Sequence, residues 1–174
     1  MSGHNKWSKV KNKKAVTDAR KGKIYTKMAK LISVELKKAN GDPKATNVQA
    51  IVKKARENNV PNENIDRALR KNDSAVQMES IIYEAYGPNG VALLIEALTD
   101  NRNKAAGEIK HILVENGSAL ASPGSASWAF NKTAEGYLPN TMVEISEEDG
   151  LKLDKLIEEL EDNDEVQEIY TNAE

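Results

Sequence analysis

The rhythm of apolar residues changes once along this chain, and that change limits what it can fold into. As far as Leu69 they recur at helical spacing; from Ile81 onward they come in short strand-like runs. Ile24, Met28, Leu31, Ile32 and Leu36 share one face of a first helix, which stops at the Asn-Gly-Asp-Pro of residues 40–43. Val48, Ile51, Val52 and Ala55 follow i, i+3, i+4, i+7 in a second helix, with Lys53, Lys54 and Arg56 off that stripe. Pro61 punctuates, Asn62 or Asn64 offers a cap, and a third helix carries Ile65, Ala68 and Leu69. Three short amphipathic helices can enclose one small core. The stretch RKNDSAVQMES reads as a polar linker, so the sequence predicts a helical domain over 1–75 and a second domain over 76–174.

Past the linker, IIYEAY and VALLIEAL flank the turn signal GPNG and predict a hairpin over 81–98. NRNKAAGEIKHILVENG reads as a helix with Ile109, Ile112 and Leu113 inward and Gly117 past its end. SASWAF, reached through a Ser/Pro/Gly loop, is expected as a third strand and TMVEI as a fourth. Ser146 with Asp149 resembles a capping box that opens a helix buried along Leu153, Leu156, Ile157 and Leu160, and EVQEIYT closes as a fifth strand. Without the first strand the order is β-α-β-β-α-β, the ferredoxin-like arrangement of an antiparallel sheet with two helices on one face. The expected class is therefore α+β: a small helical bundle, then a ferredoxin-like domain with an extra leading strand. Such a fold decides no function by itself.

Charge is divided between the same two parts. Residues 1–74 hold 19 Lys/Arg against 7 Asp/Glu, a net +12; residues 75–174 hold 6 against 20, a net −14. The overall −2 conceals this split, which points to a polyanion-binding part joined to an acidic part. The competing explanation is a pair of solvated surfaces that attract each other. Lys6, Lys9, Lys11, Lys13 and Lys14 all precede the first acid, Asp18, and have too few apolar neighbours to fold unaided. Such an arm can follow a phosphate backbone while Trp7 stacks on an unpaired base. Alternatively Trp7 docks into the helical core and the lysines stay wet. Arg20, Lys21, Lys23, Lys53, Lys54 and Arg56 extend the cationic candidates onto the predicted helices. In TDNRNK, where a strand gives way to a helix, Arg102 and Lys104 join free backbone N–H groups suited to an anion; ordinary capping by Asp100 or Asn101 is the plain alternative.

No arrangement for catalysis stands out. His4 and His111 have no ligand-spaced neighbours, the carboxylates of EELEDNDE suit a solvated helix end, and Ser122 and Ser125 lack an adjacent base. YGPNG is wrongly ordered for a phosphate loop. No catalytic residue, metal or cofactor is expected. The chain has no cysteine, no secretory signal pattern and nothing near the ~20 consecutive apolar residues of a membrane span, so a soluble, cytoplasmic protein without a membrane partner is expected.

Several longer stretches carry a family resemblance. SGHNKWSKVKNKKAVTDARKGKIYTK, the GDP of 41–43, NVPNENIDRAL, YEAYGPNGVALLIEALTDNRN and the terminal VQEIYTNAE together resemble the YebC/PmpR family, whose mitochondrial relatives are translational activators of cytochrome c oxidase. The resemblance spans nearly the whole chain. It implies a non-enzymatic regulator of gene expression, bound to DNA as a transcriptional regulator or to ribosomal or messenger RNA, with the ribosome as a further partner. The Lys6–Lys14 arm and the Thr99–Asn103 loop are the positions onto which nucleic-acid contact carries over. Family members usually have a third domain inserted in the middle one; here a short connection around 131–141 stands in its place. The physics of an arm with one aromatic and no groove-reading helix leans toward structured RNA, the family label toward DNA. A reading from another class is a small-molecule-sensing or dimerising sheet domain that touches no nucleic acid.

Overall fold

A computed structural model describes residues 18–70 and 78–174. The chain divides into two compact units, with the change between Glu79 and Ser80. The first unit is helical: α1 (Asp18–Lys38), α2 (Thr46–Glu57) and α3 (Asn62–Arg70). Ile32, Leu36, Val48, Val52, Ala55, Val60, Ile65 and Ala68 form its buried core, and Tyr25, Met28 and Ala29 pack against them. The stripe on α1 thus runs through Tyr25 rather than Ile24, while those on α2 and α3 follow their predicted spacing. Asn40 and Asn59 take left-handed φ values of 53° and 58° just past α1 and α2. The chain reverses there, and the N–H groups of Gly41 and Val60 reach back to the carbonyls of Leu36 and Ala55 at 2.8 and 3.0 Å. Pro61, not Asn62 or Asn64, immediately precedes α3, and its carbonyl accepts from Asn64 and Ile65.

The second unit contains β1 (Glu79–Tyr86), β2 (Ala92–Thr99), α4 (Arg102–Glu115), β3 (Ala119–Ala121), β4 (Phe130–Thr133), β5 (Gly136–Pro139), α5 (Glu147–Glu161) and β6 (Val166–Thr171). The main sheet has the order β3-β1-β2-β6; β4 and β5 form a separate two-stranded sheet. The α+β class is met, and β2 and β3 are split by one intervening strand as the ferredoxin-like pattern requires. Two strand positions need correcting. SASWAF is not a sheet strand: Ser127–Ala129 is a 3-10 turn and only Phe130 enters β4. TMVEI contributes one isolated bridge, Val143 to Ala173. The slot expected for it beside β2 is filled by β1. A hairpin partner six residues away closes at a lower entropic cost than a strand some fifty residues on. The three-residue β3, with no β-branched residue, carried no strand signal.

β2 is buried along nearly its whole length, which explains why VALLIEAL reads as a continuous apolar run rather than an alternating one. Leu93, Ile95 and Ala97 pack on Ile109 and Leu113 of α4 and on Leu153, Leu156 and Leu160 of α5. Ala92 and Leu94 pack on Ala126, Ala129 and Phe130, with Tyr86, Tyr137 and Tyr170 alongside. The sheet therefore has helices over one face and the 3-10 turn with the β4–β5 hairpin over the other. Ser146 accepts from the Asp149 N–H at 3.1 Å to open α5, as its sequence predicts.

A buried carboxylate organises the turn on the second face. Glu84 of β1 accepts from the N–H groups of Gly124 at 2.7 Å, Ala126 at 2.7 Å and Ser127 at 2.8 Å. Burial pushes its pKa up, but the backbone donors outweigh burial and hold it below the ordinary value of 4.5. Those three N–H groups are thereby withdrawn from strand pairing. The consequence for stability has a definite sign: with the folded-state pKa depressed, the contribution of Glu84 is present above pH 4.5 and is lost as pH falls through the folded value. Glu84→Gln forces an amide NH2 against a backbone donor and should cost about 2–3 kcal/mol in urea unfolding at pH 7. The variant should also lack the part of the wild-type loss on acidification that belongs to this group; identical pH profiles would remove Glu84 from this role.

Candidate nucleic-acid interface

The helical unit concentrates its cations on one helix in a way that follows from the 3.6-residue turn. Arg20, Lys23, Lys27 and Lys30 stand at i, i+3, i+7 and i+10 along α1. At about 100° per residue they fall on the side of the helix opposite Tyr25, Met28, Ala29, Ile32 and Leu36. The apolar stripe is fixed against α2 and α3, so the cationic ridge is directed away from the bundle core and spans about 15 Å. All four ridge residues are half-buried. The one acid inside α1 beyond its first residue, Glu35, lies off the ridge and is turned toward α2. There it accepts from Asn47 at 2.9 Å and from Lys38 at 2.7 Å. Burial raises the Glu35 pKa, but the donors Lys38 and Asn47 bring it below its ordinary value.

The other candidates distribute differently. Lys21 lies off the ridge and pairs with Asp18 at 3.7 Å. Lys53, Lys54 and Arg56 are exposed on α2 but point in three directions around its outer side, and Lys53 is 3.9 Å from Glu57. Arg67 and Arg70 of α3 are exposed among acids, with Arg67 at 3.3 Å from Glu63. These are local pairs at the surface, each worth well under about 1 kcal/mol and readily exchanged for a phosphate. Lys6, Trp7, Lys9, Lys11, Lys13 and Lys14 lie outside the described residues. Lys27 and Lys30, outside the cationic candidates of the sequence, continue from Arg20 and Lys23 at helical period, a signal that spacing alone carries.

Arg102 and Lys104 belong to the other unit, at the start of α4. Asn101 caps that helix, accepting from the Lys104 N–H at 3.0 Å, so ordinary capping accounts for the local geometry. Arg102 is exposed, and its carbonyl accepts from the Tyr83 hydroxyl at 3.4 Å. The Lys104 ammonium is engaged: it lies 3.2 Å from the buried Glu165 carboxylate and 4.0 Å from Glu108. Its hydrogen bond and attraction to Glu165, then the charge of Glu108, raise its pKa. His111 is exposed on the same helix. Among the described residues no three or more His, Asp or Glu side chains gather as metal ligands, and no helix is long and apolar enough to cross a membrane.

Comparison with known proteins covers almost the whole chain. Residues 5–75 match the TACO1/YebC protein N-terminal domain, and residues 78–135 and 133–173 match the TACO1/YebC second and third domain. A protein of Thermoanaerobacter pseudethanolicus named "Probable transcriptional regulatory protein" is 36% identical over 239 positions, covering 100% of this chain and 97% of its own. One of the same name from Finegoldia magna is 44% identical over 181 positions, covering 100% of this chain and 74% of its own. A crystal structure of a conserved hypothetical protein, Aq1575 from Aquifex aeolicus, superposes with a TM-score of 0.83 at 26% identity over 98% of this chain and 97% of that one.

The ion pair of Lys104 is testable. Lys104→Gln leaves the buried Glu165 carboxylate without its ammonium and should lower the thermal midpoint at pH 7, whereas Lys110→Gln, at an exposed position of the same helix, should leave it within about one degree. Calorimetry reads the contrast, and equal midpoints for the two variants would contradict the assignment of Lys104 to a structural ion pair.

Proposed function

The chain belongs to the TACO1/YebC family, and from that premise we propose that it is a non-enzymatic, nucleic-acid-binding regulator of gene expression whose basic helical unit grips the phosphate backbone. Its relatives are named probable transcriptional regulatory proteins, which supports a regulator at the level of the family. The observation that carries the finer reading is the ridge Arg20–Lys23–Lys27–Lys30, set opposite the apolar stripe of α1. A row of cations about 15 Å long, backed by a packed core, can face several phosphates of one strand, more than a small anion presents. Lys53, Lys54 and Arg56 on α2 add charge to the same unit, and the lysines of the Lys6–Lys14 arm precede it in sequence. Contacts of this kind give affinity and orientation; they do not select sequence. The acidic α/β unit then serves as a scaffold, and its net negative charge discourages indiscriminate adhesion.

Salt dependence measures this binding directly. If about six phosphates are neutralised, log K against log salt should slope near −4 for a single strand and near −5 for duplex DNA. Replacing Arg20, Lys23, Lys27 and Lys30 together by Gln should flatten that slope by about 3, with helicity checked by circular dichroism. Lys110→Gln with Lys155→Gln, two exposed lysines of the α/β unit, should leave it unchanged. A slope that the ridge variant does not alter would exclude α1 as the phosphate-binding element.

A further inference from the structure

The sheet face away from α4 and α5 carries an aromatic that the structure both exposes and fixes. Trp128, in the 3-10 turn before β4, is 59% exposed. Its indole N–H is held by the Ser125 carbonyl at 2.8 Å and by the Tyr86 hydroxyl at 3.1 Å. Tyr86 in turn donates to the same Ser125 carbonyl, and the loop that carries Ser125 is fastened to Glu84 by three backbone N–H groups. The Trp128 carbonyl accepts from Asn140 at 3.1 Å, and Asn140 also reaches Asn131 at 3.2 Å. With its one donor used, the indole offers a partner only its π surface, in an orientation set in advance.

Charge selects among the flat or apolar partners that could cover it. From Ala119 to Val143 the chain has one acid, Glu135, and one base, Lys132; from Glu144 to Glu168 it has twelve acids. On the same face lie the buried Glu84, already bound by three backbone N–H groups, and the cross-strand pair Glu96–Glu168 beside Tyr170, while α5 with its carboxylates covers the opposite side of the sheet. The Ala119–Val143 segment that presents Trp128 is itself balanced in charge, with Lys132 and Glu135 both exposed, and it offers exposed amides from Asn131 and Asn140.

We propose that Trp128 is a stacking platform for an unpaired nucleobase, giving the α/β unit its own contact with a single-stranded segment of the nucleic acid. This rests on the reading of the protein as a nucleic-acid binder and narrows its target to strands with unpaired bases. An aromatic face accepts any base, so the site contributes affinity for single strands without sequence choice.

The chain has two tryptophans, and Trp7→Phe leaves Trp128 as the only one. Titrating that full-length variant with a mixed-sequence 12-nucleotide RNA should quench its emission, while the matching duplex should not. Adding Trp128→Ala should weaken single-strand binding, read by anisotropy of a labelled strand, by roughly tenfold, and Trp128→Tyr should restore most of it. Unchanged emission and unchanged affinity, with binding still sensitive to the α1 ridge, would overturn this inference and leave the proposed function standing. No binding of either probe by the unsubstituted protein would overturn both. Emission that shifts with protein concentration alone would assign Trp128 to a contact between copies of the chain and would also overturn it.

Discussion

Burial of β2 on both faces is the constraint on which the α/β unit depends. Leu93 and Ile95 require a helical layer on one side, and Leu94 requires a second layer on the other. Removing any one of these side chains to Ala would cost about 2–5 kcal/mol, several times what any surface ion pair of the molecule contributes. The second layer is small and cannot cover Leu94 as a regular strand would. It is assembled from a turn held by Glu84 and from the β4–β5 hairpin, whose Tyr137 meets Tyr170 of β6 edge-on at 5.2 Å. Gly136 permits this approach: its φ is +126°, and a Cβ there would lie 2.4 Å from the Tyr170 hydroxyl. The C-terminal residues lock the arrangement, since the buried Asn172 amide accepts from the Ala92 N–H at 2.8 Å and donates to the Thr141 carbonyl at 3.0 Å.

The two matched segments, 78–135 and 133–173, join in the β4–β5 turn. The alignment to the Thermoanaerobacter relative runs over 239 positions, of which this chain supplies 174. The shortened connection that the family resemblance implies around 131–141 falls on the same hairpin. Two strands already paired from Phe130 to Pro139 can end in a tight turn without disturbing β2.

Elements whose signal is local were legible in the sequence. The three helices of the first unit, the β1–β2 hairpin at Gly87–Gly90 and the capped α5 follow from spacing and turn chemistry within a few residues. The second layer was not legible because its cause is distant: Glu84 binds N–H groups some forty residues away, and nothing near SASWAF announces that its backbone will be taken by a carboxylate. TMVEI has strand composition, but β1 already occupies the place it would take. The candidate interface divides the same way. Lys53, Lys54 and Arg56 are exposed cations as their pattern implies, whereas the pairing of Lys104 with Glu165 joins residues sixty-one apart and left no mark in either segment.

The central claim is that a polyanion is held by the outward cations of the helical unit while the acidic helices stay clear of it. Amide chemical-shift mapping of the labelled full-length protein, titrated with a short RNA strand at low salt, tests this most directly. The account predicts that the largest shifts among the described residues include α1 from Arg20 to Lys30 and α2 around Lys53–Arg56, with α5 unmoved. Shifts concentrated in α5, with α1 silent, would contradict it.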